Sequence, residues 1–422
     1  LKRGGHLGLA VEAGEFLFFR TNRMADVWEM CFDGPWEPMK RALLLVLDSV
    51  GCGHAPDAAV YGDAGADTLG HLFGRVAGLE LPAMASLGLY HLLRGLDQGF
   101  PLAVAEVRQG AAWGVMRAQS AGKDTTTGHW ELAGCVLEKP FHVFEKFPAD
   151  LVGEIGHKAG VKFLGNVVAS GTAVIDDLGE EHIATGKPIL YTSADSVMQI
   201  AAHEDPAVFG LQRLLDLCVT ARRVLDERGL RVGRVIARPF VGECKADFRR
   251  TANRHDYSLV PPPTVLNRLQ AAGVRTIGVG KVEDIFAGSG ISESHVTKSN
   301  ADGMETITRL WAEKRDEPHL LFANLVDFDM LFGHRRDPDG YANSLREFDC
   351  WLGSFLGEVG QGDFLMITAD HGNDPYHVGT DHTRELVPLL TMNAPFSLRP
   401  DAWFTQAASL LEAYFQTGTS LP

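Results

Sequence analysis

Residues 42–48 read Ala-Leu-Leu-Leu-Val-Leu-Asp: six apolar residues with no turn signal, closed by one carboxylate. A run this short and apolar on both faces predicts a strand buried on both sides, as in a parallel sheet covered by helices. Three more stretches repeat the pattern, at Thr276–Val279, Leu320–Val326 and Phe364–Thr368, with helical spacing between them at Pro263–Ala272, Met304–Lys314 and Tyr341–Leu356. The expected fold is therefore α/β, with a mostly parallel sheet covered by helices on both faces. Each strand runs into polar residues: Asp48 after the first, Lys281 after the second, Asp327 and Asp329 after the third, Asp370 and His371 after the fourth. Ligands of open α/β sheets bind at the carboxyl ends of the strands, so the four loops point to one crevice.

Working outward, the 422 residues exceed one ordinary domain. Two breaks, Lys139-Pro140 and Pro261-Pro262-Pro263, bracket residues 141–260. That segment is long enough for an inserted, smaller α/β cap, with strand candidates at Ile189–Thr192 and Val232–Ala237. The core is then residues 39–140 and 261–422. Residues 1–38 show no sustained period, and Met39-Lys40-Arg41 opens directly onto the first strand. The expectation is that the natural protein starts at Met39, residues 1–38 being upstream sequence translated in error.

Hydrophobic residues make up 45% and charged residues 22%, which excludes a mostly disordered chain. Lysine and arginine total 39 against 54 acidic residues, a formal charge of −15, so neither nucleic acid nor an anionic membrane is the expected partner. No apolar stretch is long enough to span a bilayer as a helix. The six cysteines, at 31, 52, 135, 218, 244 and 350, form no CxxC pair. Their spacing fits neither a disulfide scaffold nor a zinc knuckle, and a reducing cytoplasm suits them.

The chemistry concentrates in three places. Thr368-Ala369-Asp370-His371-Gly372-Asn373-Asp374 is followed by His377 and by Thr380-Asp381-His382. Asp329 and His334 make a second carboxylate–imidazole pair, and Asp48 adds a third carboxylate. Loops after separate strands that each offer hard oxygen or imidazole ligands point to a two-metal site. The mixture suits Mn²⁺ or Zn²⁺ better than Ca²⁺ or Mg²⁺. Gly122-Lys123-Asp124-Thr125-Thr126-Thr127-Gly128-His129 then offers three candidate hydroxyl nucleophiles. A threonine hydroxyl needs a base or a metal to attack at neutral pH. The run is not a P-loop, because no GxxxxGK[ST] occurs.

Together these motifs resemble the phosphopentomutase family of the alkaline phosphatase superfamily. The likeness is carried by Leu47-Asp48-Ser49-Val50-Gly51, Asp67-Thr68-Leu69-Gly70-His71, the Gly122–Glu131 run, Ser193-Ala194-Asp195-Ser196 and Arg254-His255-Asp256-Tyr257. Asp327–Asp337, Thr368–Pro375 and Gly379–Glu385 carry it further, and it extends from about residue 39 to the C-terminal region. The resemblance implies an alkaline-phosphatase-like core with an inserted cap. It also implies one metal site made by Asp329, His334 and His382, another made by Asp48, Asp370 and His371, and Thr125 as the phosphorylated residue. In the cap it implies Ser193 and Asp195 facing the sugar and Arg234 and Arg250 on phosphate, with Arg238, Arg249 and Arg254 as close alternatives. Lys281 is a further phosphate ligand by the same likeness.

The implied activity is interconversion of ribose 1-phosphate and ribose 5-phosphate, and of the 2-deoxyribose pair, in nucleoside and pentose phosphate metabolism. Phosphothreonine and a 1,5-bisphosphate would be the intermediates, two divalent ions (Mn²⁺ by the resemblance) the cofactors, and a sugar bisphosphate the activator. A phosphate-ester hydrolase or a phosphoglycerate mutase of the same superfamily is the rival among enzymes; the cap segments at 193–196 and 254–257 separate them. A metal-stabilised binding module is the rival outside enzymes, and the complete ligand set together with Thr125 argues against it.

Overall fold

The structure, a computed structural model, describes residues 6–12, 15–21, 39–96, 102, 106–193, 196–313, 316–399 and 401–416. The chain divides into two units, Leu1–Met39 and Lys40–Pro422. In the first, β1 (His6–Glu12) pairs antiparallel with β2 (Glu15–Thr21), Glu12 opposite Glu15. Periodicity predicts no element there, although the three phenylalanines and the threonine of β2 favour a strand.

In the second unit the strands begin with β3 (Arg41–Leu47) and β4 (Ala111–Arg117). Next come β5 (Leu164–Val168), β6 (Ile189–Thr192), β7 (Val197–His203), β8 (Arg234–Val241), β9 (Arg249–Arg250) and β10 (His255–Ser258). The last are β11 (Arg275–Val279), β12 (Glu293–His295), β13 (His319–Leu325), β14 (Phe364–Thr368), β15 (Val387–Met392) and β16 (Asp401–Trp403). They form two sheets. The larger has the order β12-β11-β13-β3-β14-β15-β4-β16 and is parallel from β12 through β14; the smaller is β10-β8-β7-β6-β5, with β9 on β8.

Strand β3 lies at the centre of the larger sheet, and each of Ala42–Leu47 is at most 1% exposed. Each aliphatic side chain buried this way contributes about 1.5–3 kcal/mol, which is why the run must be apolar on both faces. The register then sets the site. Val46 stands opposite Thr368 of β14 and Leu47 opposite Leu325 of β13. Two residues beyond the first of these pairs, Asp48 and Asp370 emerge at the same level. Beyond β13 the chain enters a π-helical turn, Phe328–Gly333, which carries Asp329. Such turns are uncommon and gather at functional sites.

The smaller sheet packs helices Ala149–Ala159 and Leu211–Glu227 through one apolar cluster, and helix Ala173–Thr185 through another. Strand β8 begins at Arg234 rather than Val232, because Gly233 N–H is taken by Ser196 Oγ (3.0 Å). It also runs on to Val241 through Pro239. That proline falls where the pairing partner of β8 changes, after Ala237–His255 and before Phe240–Arg250, so its missing N–H breaks no pair with β9 or β10. The helix expected at Pro263–Ala272 starts at Val265, since Thr264 closes a capping box with Asn267 and leaves all three prolines outside. No described helix is long and apolar enough to cross a membrane. Cys135, Cys218, Cys244 and Cys350 are free thiols.

Candidate metal centre and crevice

Asp124 caps the helix Thr125–Leu132, accepting from Thr127 N (3.0 Å) and from Thr127 Oγ1 (2.5 Å). The third threonine's hydroxyl is therefore committed, whereas Thr125 and Thr126 line the cavities above the metal cluster. Thr125 Oγ1 lies 3.1 Å from His371 Nε2. The helix reaches that close because Gly128 has no Cβ: one placed there would stand 2.2 Å from the carbonyl oxygen of Asp370.

Two ligand clusters form, Asp48 with Asp370 and His371, and Asp329 with His371 and His382; within each, the ligand atoms lie within 4.8 Å of one another. The imidazoles of His371 and His382 are 4.0 Å apart between centroids. His334 stands on the other oxygen of Asp329 (Nε2 to Oδ2, 3.1 Å), so His371, not His334, closes the second cluster in this geometry. The Nδ1 atoms of His334 and His371 face the carbonyl oxygens of Thr380 (2.6 Å) and Gly372 (3.1 Å). That turns both Nε2 atoms toward the carboxylates, the usual orientation of a metal-binding histidine.

The electrostatics call for cations. Burial, reinforced by Asp370 and Asp329, pushes the Asp48 carboxyl well above its ordinary value. Burial acts the same way on Asp329, but the neighbouring imidazoles of His334 and His382 outweigh it and hold that carboxyl down. The bond to Asp329 raises His334 to about 9, whereas burial lowers His371. Asp48 Oδ1, Asp370 Oδ2 and His382 Nε2 are buried without a hydrogen-bond partner. Buried polar atoms are normally satisfied, and divalent ions would satisfy all three and stabilise the carboxylates together. The donor set fits two such ions.

Loops around the cluster are knitted from outside it. Asn373 Nδ2 donates to Asp329 Oδ1 (2.7 Å), and Arg336 Nη1 donates to Asn373 Oδ1 (3.1 Å) and to the Asp374 carbonyl (2.5 Å). Asp327, which follows β13 like the ligand Asp329, is a brace instead: its Oδ2 accepts from Asn300 N (2.7 Å).

Facing the cluster, the smaller sheet supplies cations. One cavity of about 380 Å³ joins Lys123, Thr125, Thr126 and His382 to Ser196 and Arg234, and another of about 480 Å³ joins Asp48, Thr125 and Lys281 to Arg234 and Arg254. Asp256 holds both arginines, at 3.5 Å from Arg234 and through two contacts of 2.7 and 2.5 Å from Arg254. Arg250 lies elsewhere, with Arg238 and Arg249 in a cavity of about 560 Å³ that Arg254 also borders. Ser193 is half-buried and lines none of these three cavities, where Ser196 lines the first; Asp195 falls outside the described residues. Ser196, Asn373 and Arg336 are not among the candidates that the sequence offers, although each sits inside a motif that carries the family likeness.

Fold and ligand clusters together define a metal-dependent enzyme of the alkaline phosphatase superfamily, and the family model described as the Metalloenzyme superfamily matches residues 40–410. A phosphopentomutase of Symbiobacterium thermophilum is 51% identical over 376 residues, covering 89% of this chain and 93% of the relative. One of Carboxydothermus hydrogenoformans is 48% identical over 386 residues, covering 89% and 96%. The chain belongs to the phosphopentomutase family and is an isomerase. Among solved structures, the PH0037 protein of Pyrococcus horikoshii aligns over 92% of this chain and all of its own, at 12% identity and a TM-score of 0.49.

Proposed function

We propose that the enzyme interconverts ribose 1-phosphate and ribose 5-phosphate, and the 2-deoxyribose pair, through phospho-Thr125 and a 1,5-bisphosphate, in the nucleoside and pentose phosphate metabolism of the cytoplasm. The observation that carries this reading is the Thr125 hydroxyl, 3.1 Å from His371, on a residue that lines one cavity together with Arg234. Asp48, Asp370 and His371 would hold one ion, and Asp329, His334 and His382 the other; the family likeness favours Mn²⁺, and the donor types alone suit Zn²⁺ as well. When bound, such ions neutralise charge on the transferring phosphoryl group and lower the pKa of a coordinated hydroxyl.

The chain's own residues do the rest. The sugar hydroxyl forms a new P–O bond as the bond to Thr125 Oγ1 breaks, and the proton it loses balances the one Thr125 regains. The opposite phosphate of the bisphosphate then passes to Thr125, regenerating the starting enzyme. A sugar bisphosphate activates an unphosphorylated enzyme by the same second step. Lys281, Arg234 and Arg254 or Arg250 hold the phosphate that is not reacting, the guanidinium fork matching its oxygens. By the family likeness, Ser193 and Asp195 would face the sugar once residues 141–260 close over it. Residues 141–260 act as a cap whose closure about Pro261–Pro263 excludes water, so that phospho-Thr125 is not hydrolysed. Small pentose phosphates, rather than nucleic acid or membrane, are the partners.

The test is incubation with Mn²⁺, ribose 5-phosphate and a trace of sugar bisphosphate. Ribose 1-phosphate is the expected product; release of inorganic phosphate in its place overturns the reading in favour of a hydrolase.

A further inference from the structure

His129 is fully buried on the helix that begins with Thr125, and both its ring nitrogens are engaged. Nδ1 hydrogen bonds the carbonyl oxygen of Thr125 (2.9 Å) and lies 3.0 Å from Asp370 Oδ2. Nε2 faces Asn324 Nδ2 at 2.9 Å, and the same amide nitrogen is 3.1 Å from Asp48 Oδ2. Asn324, on β13, is itself 1% exposed. An amide nitrogen has two hydrogens and here two acceptors. Turning the amide over would set its oxygen against the Asp48 carboxylate, so the orientation is determined. Nε2 is then the acceptor, and the ring proton sits on Nδ1, between Thr125 and Asp370. The ring is held flat, stacked on Phe322 at 5.8 Å and 17°.

We infer that His129 and Asn324 are a positioning pair that ties the nucleophile's helix to the Asp48–Asp370 ion cluster. Asn324 holds one oxygen of Asp48, and His129 stands against one oxygen of Asp370. The same ring anchors the backbone of Thr125, so the hydroxyl and the two carboxylates share one rigid frame. Neither residue is placed as a ligand: both ring nitrogens of His129 and the amide nitrogen of Asn324 are spent within the frame. Groups that hold ligating side chains from behind typically matter tenfold to a hundredfold in ion affinity. This inference rests on the two-ion reading of the site.

The test is Mn²⁺ titration by calorimetry of the metal-free, full-length protein, with turnover measured alongside. His129→Phe keeps the ring but loses both hydrogen bonds, and His129→Asn keeps a donor near the Nδ1 position. For His129→Phe, one of the two ions binds about 10–100-fold more weakly. Its kcat falls, KM for ribose 5-phosphate stays within about twofold, and excess Mn²⁺ restores part of the rate; His129→Asn lies between it and wild type. Asn324→Leu, read the same way, decides the matter should His129→Phe not fold. Unchanged ion affinity in the folded variants, whatever their melting temperature, overturns the inference, as does failure of all the variants to fold, which marks a structural role. A wild-type protein that takes up fewer than two ions overturns the two-ion reading instead.

Discussion

Thr125 Oγ1 meets His371 Nε2 at 3.1 Å across 246 residues of chain. The contact depends on the Asp124 cap, which starts the helix, and on β14, which delivers His371 to the same level of the sheet. Thr125→Ala is expected to lower the mutase rate by at least about a thousandfold, as losing a nucleophile does. Thr126→Ala should leave the phosphate on residue 125 in peptide mass spectrometry. A Thr125→Ala enzyme that still interconverts the ribose phosphates refutes the mechanism.

Gly128 lets that helix lie flush against the Asp370 backbone, since a Cβ would stand 2.2 Å from its carbonyl oxygen. Gly128→Ala therefore pushes Thr125 and Asp370 apart, at a cost of about 1–3 kcal/mol typical of overpacking. A lower urea midpoint together with weaker Mn²⁺ binding is the expected pair of results; normal ion binding in a merely destabilised protein would contradict it.

Glu385 is buried and accepts from Thr68 N (2.8 Å), Thr68 Oγ1 (2.8 Å) and Thr383 Oγ1 (2.6 Å). Burial pushes its carboxyl up to about 8, although the bonds from Thr383 and Thr68 pull the other way. Between the ordinary glutamate value of 4.5 and about 8, the folded state then holds a proton that the unfolded state has lost. Its contribution is complete at the acid end of this window and fades as pH rises through it, by on the order of a few kcal/mol. Urea melts of the metal-free protein at several pH values check this. The difference between Glu385→Gln and wild type should shift in favour of the variant as pH rises, and a constant difference would refute it.

Bound ions should stabilise the fold, because they relieve the burial penalty and the repulsion from Asp370 and Asp329 that together raise Asp48. At a free ion concentration a hundred times Kd, each site adds about 2.7 kcal/mol. Thermal melts with Mn²⁺ and with a chelator should separate accordingly, and Asp48→Asn should narrow the gap.

Arg254 and Arg234 share the cavity that contains Asp48 and Thr125. Arg254→Ala should raise KM for ribose 5-phosphate by about 10–100-fold, the worth of a charged hydrogen bond to phosphate, and change kcat less. Steady-state kinetics check it; an unchanged KM would remove Arg254 from the phosphate site.

Much of the larger sheet is legible in the sequence because it is buried on both faces. Leu43–Leu47 and Phe364–Thr368 have no polar face to blur the pattern, and Asp48 and Asp370 mark where each strand leaves the core. The hairpin in residues 6–21 escapes a periodicity reading. The arginines resist one differently: Arg250, in β9, and Arg254, just before β10, are four residues apart, and the pairing of β9 and β10 along β8 decides which of them enters the cavity with Arg234.

The sequence by itself determined the sheet, the ligand types and the loops that carry them, because burial and turn chemistry act on neighbouring residues. Only the tertiary structure decided which atoms meet. It spends the hydroxyl of Thr127 on Asp124, sets His371 between two carboxylate clusters, and turns His129, unremarkable in its helix, into the link between Thr125 and Asp370. Contacts such as His129 to Asp370 and His371 to Asp48 join residues hundreds of positions apart, and strand register and close helix packing, which no local pattern encodes, bring them together.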